Sequence, residues 1–254
     1  MKALLNARLL ILIPFFFIAC KKSDTPAPTA QKTLLSKSDF SPAGGVHTYT
    51  YDAAGNMATE VSTSGTSGTA FTTTFTNYDV MGRVTEYVVD YVSPAFTDEK
   101  TVVSFNTSGK IDRLLSFQLN GGALNAYSTY EYPSGKQIRK DYTNANVLAG
   151  STESTFSADG NNLIENKNFS SAAVLRTTQA YSNFDTKKGK DLLFPYGYSS
   201  FEPSENNFQT FTSTNNITSV VTTTTYTYEY NSDGYITKRT SSTGNIVLYE
   251  YIKK

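Results

Sequence analysis

One short phrase recurs along this chain: an aromatic strand end, Asp or Asn, two loose residues, then Gly. It reads Tyr49-Thr50-Tyr51-Asp52-Ala53-Ala54-Gly55, then Tyr78-Asp79-Val80-Met81-Gly82 and Phe105-Asn106-Thr107-Ser108-Gly109. It returns as Tyr226-Thr227-Tyr228-Glu229-Tyr230-Asn231-Ser232-Asp233-Gly234. A repeat this short is one supersecondary unit, copied and stacked. Each copy predicts a β-hairpin. Asp or Asn at the first position of a type I turn accepts hydrogen bonds from the turn's own backbone, and Gly three residues later supplies the left-handed conformation that re-enters a strand. The second strand opens two residues past the glycine, at Val84, Ile111 and Ile236. Weaker copies keep the frame. Ser157 replaces the acid in Phe156-Ser157-Ala158-Asp159-Gly160, Tyr132-Pro133-Ser134-Gly135 is one residue short, and Phe184-Asp185-Thr186-Lys187-Lys188-Gly189 is one residue long.

Gly55, Gly82, Gly109, Gly135, Gly160 and Gly189 are 27, 27, 26, 25 and 29 residues apart. Two strands of roughly ten residues, a turn and a return loop fill such a period. The return loops read as Ser64-Gly65-Thr66-Ser67-Gly68, Ser93-Pro94-Ala95, Asn120-Gly121-Gly122 and Thr143-Asn144-Ala145-Asn146. The 45 residues from Gly189 to Gly234 leave room for one degenerate hairpin, turning near Glu202-Pro203-Ser204-Glu205-Asn206-Asn207 or at Asn215-Asn216. The last strand is Ile246 to Ile252. Seven or eight hairpins joined end to end predict an all-β, antiparallel up-and-down meander of roughly 14 to 16 strands, strongly curved or closed like a barrel, since twisted sheets rarely stay open at that size.

The strands alternate. Tyr226, Tyr228 and Tyr230 share one face, and Thr225, Thr227 and Glu229 the other. Tyr49 with Tyr51, Val103 with Phe105, and Tyr130 with Tyr132 repeat the scheme. Period-two patterning marks strands with one buried and one wet face. Eighteen Tyr and sixteen Phe, with no Trp, supply the buried side. Threonine, whose branched β-carbon suits a pleated surface, supplies the wet one. Nothing after the N-terminal segment sustains helical periodicity.

That N-terminal segment carries an address. Lys2 and Arg8 precede an apolar run from Leu9 to Ile18, too short to span a bilayer as an ordinary helix. It ends in Phe17-Ile18-Ala19-Cys20, which resembles the lipobox of bacterial lipoproteins. The resemblance implies that residues 1–19 are a signal peptide and that Cys20, the chain's one cysteine, is lipidated. A single cysteine allows no internal disulfide. The Pro- and Thr-rich stretch that follows, including Asp24-Thr25-Pro26-Ala27-Pro28-Thr29, reads as a flexible tether over residues 20–33, ahead of a single β-repeat domain over 34–254. Lys21-Lys22-Ser23-Asp24 directly after Cys20 resembles the export signal of surface lipoproteins in the Bacteroidota. The expected location is therefore the outer membrane, on its surface or its periplasmic face.

The lipobox, tether and repeats together resemble a Bacteroidota lipoprotein family of unknown function with a porin-like β fold. The residues closest to it are Phe184-Asp185-Thr186-Lys187-Lys188, Asn215-Asn216-Ile217-Thr218 and Tyr228-Glu229-Tyr230-Asn231-Ser232-Asp233-Gly234-Tyr235-Ile236-Thr237-Lys238. The chain departs from that family where Gly189-Lys190 replaces its usual Asn-Pro. The repeats also resemble the YD repeats of Rhs and teneurin shells. Neither resemblance brings catalytic residues.

Chemistry is sparse. The 22 basic and 22 acidic side chains become 20 against 22 once Lys2 and Arg8 leave with the signal, and no basic stripe stands out, which disfavours nucleic acid. A membrane-spanning barrel needs an apolar outer band, whereas the face opposite the aromatics is Thr, Ser and Lys; the inverse arrangement, aromatics toward lipid, is the alternative. His47, the only histidine, lies in the alternating set with Tyr49 and Tyr51 and reads as a packing residue on the aromatic face. No Cys or His spacing suits zinc. Asp98-Glu99, beside Lys100, reads as solvated loop charge. Asp52, Asp79, Asn106 and Asn231 read as turn caps rather than calcium ligands, and Asp185 as a further hairpin-turn residue. No cofactor is implied. Three functions remain open: a non-enzymatic, lipid-anchored scaffold that binds a ligand or partner, such as a glycan; a carboxylate-pair glycan hydrolase; and a purely structural envelope component. Two carboxylates facing each other within about 5–9.5 Å would select the second.

Overall fold

The computed structural model describes residues 31–40, 44–63, 65, 69–198 and 204–254. The signal peptide, Cys20, the tether up to residue 30, most of the return loop at 64–68 and the Glu202-Pro203 turn lie outside the described residues. From Lys32 to Lys254 the chain forms one compact unit.

Sixteen strands build it. They run in order as β1 (Thr33–Asp39), β2 (Val46–Tyr51), β3 (Met57–Ser62), β4 (Phe71–Tyr78), β5 (Val84–Tyr91), β6 (Glu99–Phe105), β7 (Ile111–Gln118) and β8 (Leu124–Glu131). They continue as β9 (Lys136–Thr143), β10 (Leu148–Phe156), β11 (Leu163–Ser170), β12 (Leu175–Phe184), β13 (Phe208–Asn215), β14 (Val220–Tyr230), β15 (Ile236–Ser241) and β16 (Ile246–Lys253). Each pairs antiparallel with its neighbours in sequence, and β1 pairs with β16, so the meander closes into a barrel. Most strands have six to nine residues, shorter than the roughly ten that the repeat period allows; bulges and turns take up the rest.

One rim collects the repeat turns and both ends of the unit, where Lys32 N–H donates to the Lys254 carbonyl at 2.7 Å. At this turn rim Asp52 Oδ1 accepts the Asn56 N–H at 2.8 Å, Asp79 Oδ1 accepts from Met81 and Arg83, and Asn106 and Asn231 do the same in their copies. Gly55, Gly82, Gly109, Gly135, Gly160 and Gly234 all have φ between 71° and 83°. Four of these turns join a bulge that sets the motif's aromatic residue opposite the first apolar residue of the returning strand: Tyr51 opposite Met57, Tyr78 opposite Val84, Phe105 opposite Ile111 and Tyr230 opposite Ile236.

The opposite rim closes two of its hairpins with the same hydrogen bonds but no glycine. Thr143 N–H donates to Val147 O and Asn146 N–H to Thr143 O, with Asn146 at φ 61°; the Ser170–Val174 turn is equivalent, with Ala173 at φ 58°.

Register carries one face around the whole barrel. Tyr49 lies opposite Glu60, Glu60 opposite Thr73, Phe75 opposite Tyr87, Val103 opposite Leu114 and Tyr130 opposite Arg139. This face points inward, for Leu35, Tyr49, Met57, Phe75, Val84, Ile236, Val247 and Tyr249 pack into one core and Val103, Ile111 and Tyr130 into another. The repeat aromatics thus face the lumen, not outward. The outward face carries Thr48, Thr50, Thr59, Thr72 and Thr74 on one side and Thr210, Thr212, Thr214, Thr223 and Thr225 on the other. Between them run cross-strand ion pairs: Lys37–Glu250 at 3.2 Å, Lys100–Glu86 at 3.7 Å, Lys136–Glu153 at 2.6 Å and Lys238–Glu229 at 2.8 Å.

The motif tyrosines also do what alternation alone does not require. Near the turn rim the hydroxyls of Tyr51, Tyr78, Tyr132, Tyr228 and Tyr251 donate to the carbonyls of Leu35, Met57, Ile111, Phe208 and Ile236, at 2.5 to 2.9 Å. Each acceptor belongs to the preceding strand. The phenol thus buries its ring in the core and fastens its strand to the one before it, satisfying a polar group that would otherwise be costly to bury.

The described residues around Gly189, 185–198 and 204–207, do not form the hairpin expected there. Gly189 is not among the glycines with positive φ; its N–H donates to Glu205 O, and an added Cβ would lie 2.4 Å from Ser204 O. After one turn of 3-10 helix, Lys190–Leu193, the chain enters the barrel from the turn rim. The degenerate hairpin is β13–β14, which turns at Asn216-Ile217-Thr218-Ser219.

Candidate lumenal binding site

The inserted segment makes a floor inside the barrel. Tyr196 O accepts the Val84 N–H at 2.9 Å, and Gly197, at φ 102°, passes so close that a Cβ would lie 2.6 Å from Val84 O. The Phe194 ring stands edge-on to Tyr49, and Tyr198 edge-on to both Phe75 and Tyr87, with centroids 4.9 to 5.6 Å apart. Such T-shaped contacts add to the area buried. Burial, reinforced by the neighbouring Glu60 carboxylate, pushes the Tyr198 hydroxyl well above the ordinary phenol range. Below the floor a cleft of about 330 Å³ opens at the turn rim beside Met57, Tyr78, Phe194 and Tyr235.

One polar group pins the tip of this segment. Tyr198 donates to Glu60 Oε2 at 2.6 Å, while Glu60 Oε1 holds His47 Nδ1 at 2.8 Å. Ser62 Oγ lies 3.4 Å from His47 Nε2, and the imidazole is flanked edge-on by Phe40 and Phe71. His47 therefore has partners, contrary to its reading as a packing residue alone. Counting outward from the Asp52 turn places it opposite Ser62 and places Tyr49 opposite Glu60, so the hairpin register held the signal. Serine, histidine and glutamate here have the connectivity of a hydrolytic triad. The hydroxyl contact is long, however, Ser62 is 5% exposed, and the second carboxylate oxygen is taken by Tyr198. The arrangement ties a segment down rather than presenting a nucleophile.

Above the floor the inward face turns polar. On β8 to β13 it carries Ser128, Arg139, Asp141, Thr152, Asn166, Asn168, Thr177, Gln179 and Ser213. Ser128 donates to Asp141 at 2.6 Å, Thr152 to Asn168 at 2.9 Å and Ser154 to Asn166 at 2.7 Å. Water reaches this wall, for the Asp141 side chain is 34% exposed and that of Arg139, its ion-pair partner, 23%. Glu99 is part of the same interior. It opens β6 and accepts from Ser116 and Asn125, so it is not the solvated loop charge expected of Asp98-Glu99; Lys100 points out instead, to Glu86. Asp98 Oδ1 accepts the Tyr91 N–H. Alternation through Thr101, Val103 and Phe105 already placed Glu99 on the inner face.

The turn-cap residues stand at the turn rim, away from this wall. Asp185 differs from its counterparts: besides the Lys187 and Asn207 N–H groups it accepts the Tyr230 hydroxyl, anchoring the start of the inserted segment. Among the described residues no group of three or more His, Cys, Asp or Glu side chains is placed to hold a metal ion.

No protein-family description matches the chain, and no curated protein matches it. Solved structures resemble it. A porin-like protein from Bacteroides vulgatus aligns over 87% of this chain and 99% of its own, with a TM-score of 0.53 and 11% identity. A porin-like protein from Bacteroides uniformis aligns over 89% and 93%, with a TM-score of 0.37 and 15% identity. The chain thus shares the closed antiparallel barrel of a porin-like fold.

Proposed function

We propose that this chain is a non-enzymatic barrel of the cell envelope, held to a membrane by a lipid on Cys20, that binds a small hydroxyl-rich ligand in its lumen, a short saccharide fitting best. The observation that carries the reading is the water-reached array of amide, hydroxyl and charged side chains on the inside of a barrel whose outside is also wet. A membrane-spanning barrel presents an apolar band to lipid on strands of about nine to eleven residues. Here the strands are mostly shorter, and their outer faces carry threonines and ion pairs. A tether is then what holds the protein at a membrane, in keeping with the lipobox resemblance and with the porin-like relatives in Bacteroides.

The lumenal wall has what saccharides need: donors and acceptors at close spacing, with aromatic side chains below them. The carboxylates argue for binding over hydrolysis. Glu60, Glu99 and Asp141 are each held by neighbouring side chains, Glu60 by His47 and Tyr198, Glu99 by Ser116 and Asn125, and Asp141 by Arg139 and Ser128, which suits positioning over proton transfer.

Calorimetric titration of the full-length protein in detergent against a panel of neutral and acidic oligosaccharides tests this. At least one class is expected to bind with a Kd between micromolar and millimolar, and Gln179→Ala and Asn168→Ala should weaken it without lowering Tm. Silence across the panel, or binding indifferent to both variants, would contradict the proposal.

A further inference from the structure

The charges inside the barrel are answered locally, with one exception. Glu60 is held by His47 and Tyr198, Glu99 by Ser116 and Asn125, and Asp141 by Arg139 and Ser128. Arg239 is the exception. It stands on the inner face of β15, opposite Tyr228 and Val247, and has no carboxylate partner among the described residues. Its guanidinium carbon lies 5.1 Å from the centroid of the Tyr226 ring. The nearest acid, Asp185, is held by the Tyr230 hydroxyl on β14; it acts on Tyr228 as Arg239 does, but forms no ion pair with Arg239.

Tyr226, on β14, shares the face of Arg239, is half-buried, and its hydroxyl has no hydrogen bond among the described residues. A guanidinium backed by an aromatic ring has its plane fixed and its fork of N–H groups pre-set, which suits bidentate capture of a planar or tetrahedral oxyanion. A cation beside an unspent hydroxyl, with its nearest acid already held by other groups, selects against a neutral hydroxyl-rich group, which cannot repay the cation's desolvation, and in favour of an anionic one.

We propose that Arg239 and Tyr226 form an anion subsite in the lumen, for the carboxylate or sulfate of an acidic saccharide. This rests on the lumenal-binding reading above and specifies its ligand.

Titrating the full-length protein with oligogalacturonate, with the same oligosaccharide as its neutral methyl ester, and with a sulfated oligosaccharide tests the subsite. The free acid should bind at least tenfold more tightly than the ester, and the preference should shrink as salt is raised. Arg239→Gln should abolish the preference by bringing the free acid down to the affinity of the ester, and Arg239→Lys should restore part of it. Binding of the sulfated chain as well identifies a general oxyanion site; binding of the uronate alone identifies a carboxylate site. Equal affinity for acid and ester, or a preference that survives Arg239→Gln, overturns the inference. If no saccharide binds, the saccharide reading fails, and thermal shift with sodium sulfate decides the subsite separately: stabilisation of the parent but not of Arg239→Gln sustains it, and equal shifts end it.

Discussion

The inner and outer faces of this barrel wall are drawn from the same strands, one residue apart, and differ in almost every physical respect. Inside, near the turn rim, Leu35, Val84, Ile111 and Ile236 are at most 1% exposed and tyrosine hydroxyls reach backbone carbonyls. Outside, threonines and Lys–Glu pairs meet water. A barrel that spans a membrane also alternates, but with the opposite sign, apolar out and polar in. Closure and strand count therefore say nothing about the solvent of the outer wall. The sign of the alternation does, and here it turns the repeat aromatics to the lumen and the threonines outward.

The largest expected effect lies on the inner face. Ile111→Ala removes a side chain that is 0% exposed and should cost about 2–5 kcal/mol, read from denaturant midpoints, whereas Thr225→Ala on the outer face should stay within about 0.5 kcal/mol. Similar losses at the two sites would break the assignment of faces.

Alkaline pH sharpens the same contrast. Burial raises the hydroxyls of Tyr49, Tyr51, Tyr78, Tyr130 and Tyr228 above their ordinary value of 10.0. Above pH 10 the unfolded chain loses these protons while the folded one keeps them, so the stability they contribute is complete below pH 10 and is lost as pH climbs toward the folded values. Unfolding followed by circular dichroism should show a Tm that is flat from pH 8 to about 9.5 and falls steeply above pH 10. A flat Tm to pH 12 would contradict the buried seam.

Tyr78→Phe leaves the Met57 carbonyl without its donor and should cost about 1 kcal/mol, as should Gly82→Ala and Gly234→Ala, where a β-carbon is forced into positive φ. Space is not the issue at Gly234, since an added Cβ meets nothing within 4 Å. Smallest of all is the outer ion pair: Lys238→Ala should change stability by about 0.5 kcal/mol or less, and less still in high salt.

The hairpins were legible because their information is local. Asp52 and Gly55 fix a turn by contacts within four residues, and alternation then assigns faces strand by strand. The turn at Asn146 was visible through its small polar residues, whereas Ala173 carries no such mark, although both adopt the backbone that glycine advertises elsewhere. The floor of the lumen was illegible for a different reason. Its decisive contact, Tyr198 with Glu60, joins residues 138 apart, and Gly189 stands at nearly the repeat spacing while the chain around it does something else. The lumenal wall lay between: Glu99, Asp141 and Arg239 could be placed on the inner face by counting, but not recognised as paired or unpaired, because that depends on which strands meet.

Cell fractionation of Cys20→Ala tests the central claim, a barrel wet on both faces that depends on its lipid, most directly. The variant should be folded by circular dichroism and move from the membrane pellet to the soluble fraction, while the parent stays in the pellet and shows the mass of an added diacylglyceryl group. A folded Cys20→Ala protein that remains in the membranes and needs detergent for release would contradict it, placing lipid against the threonine face.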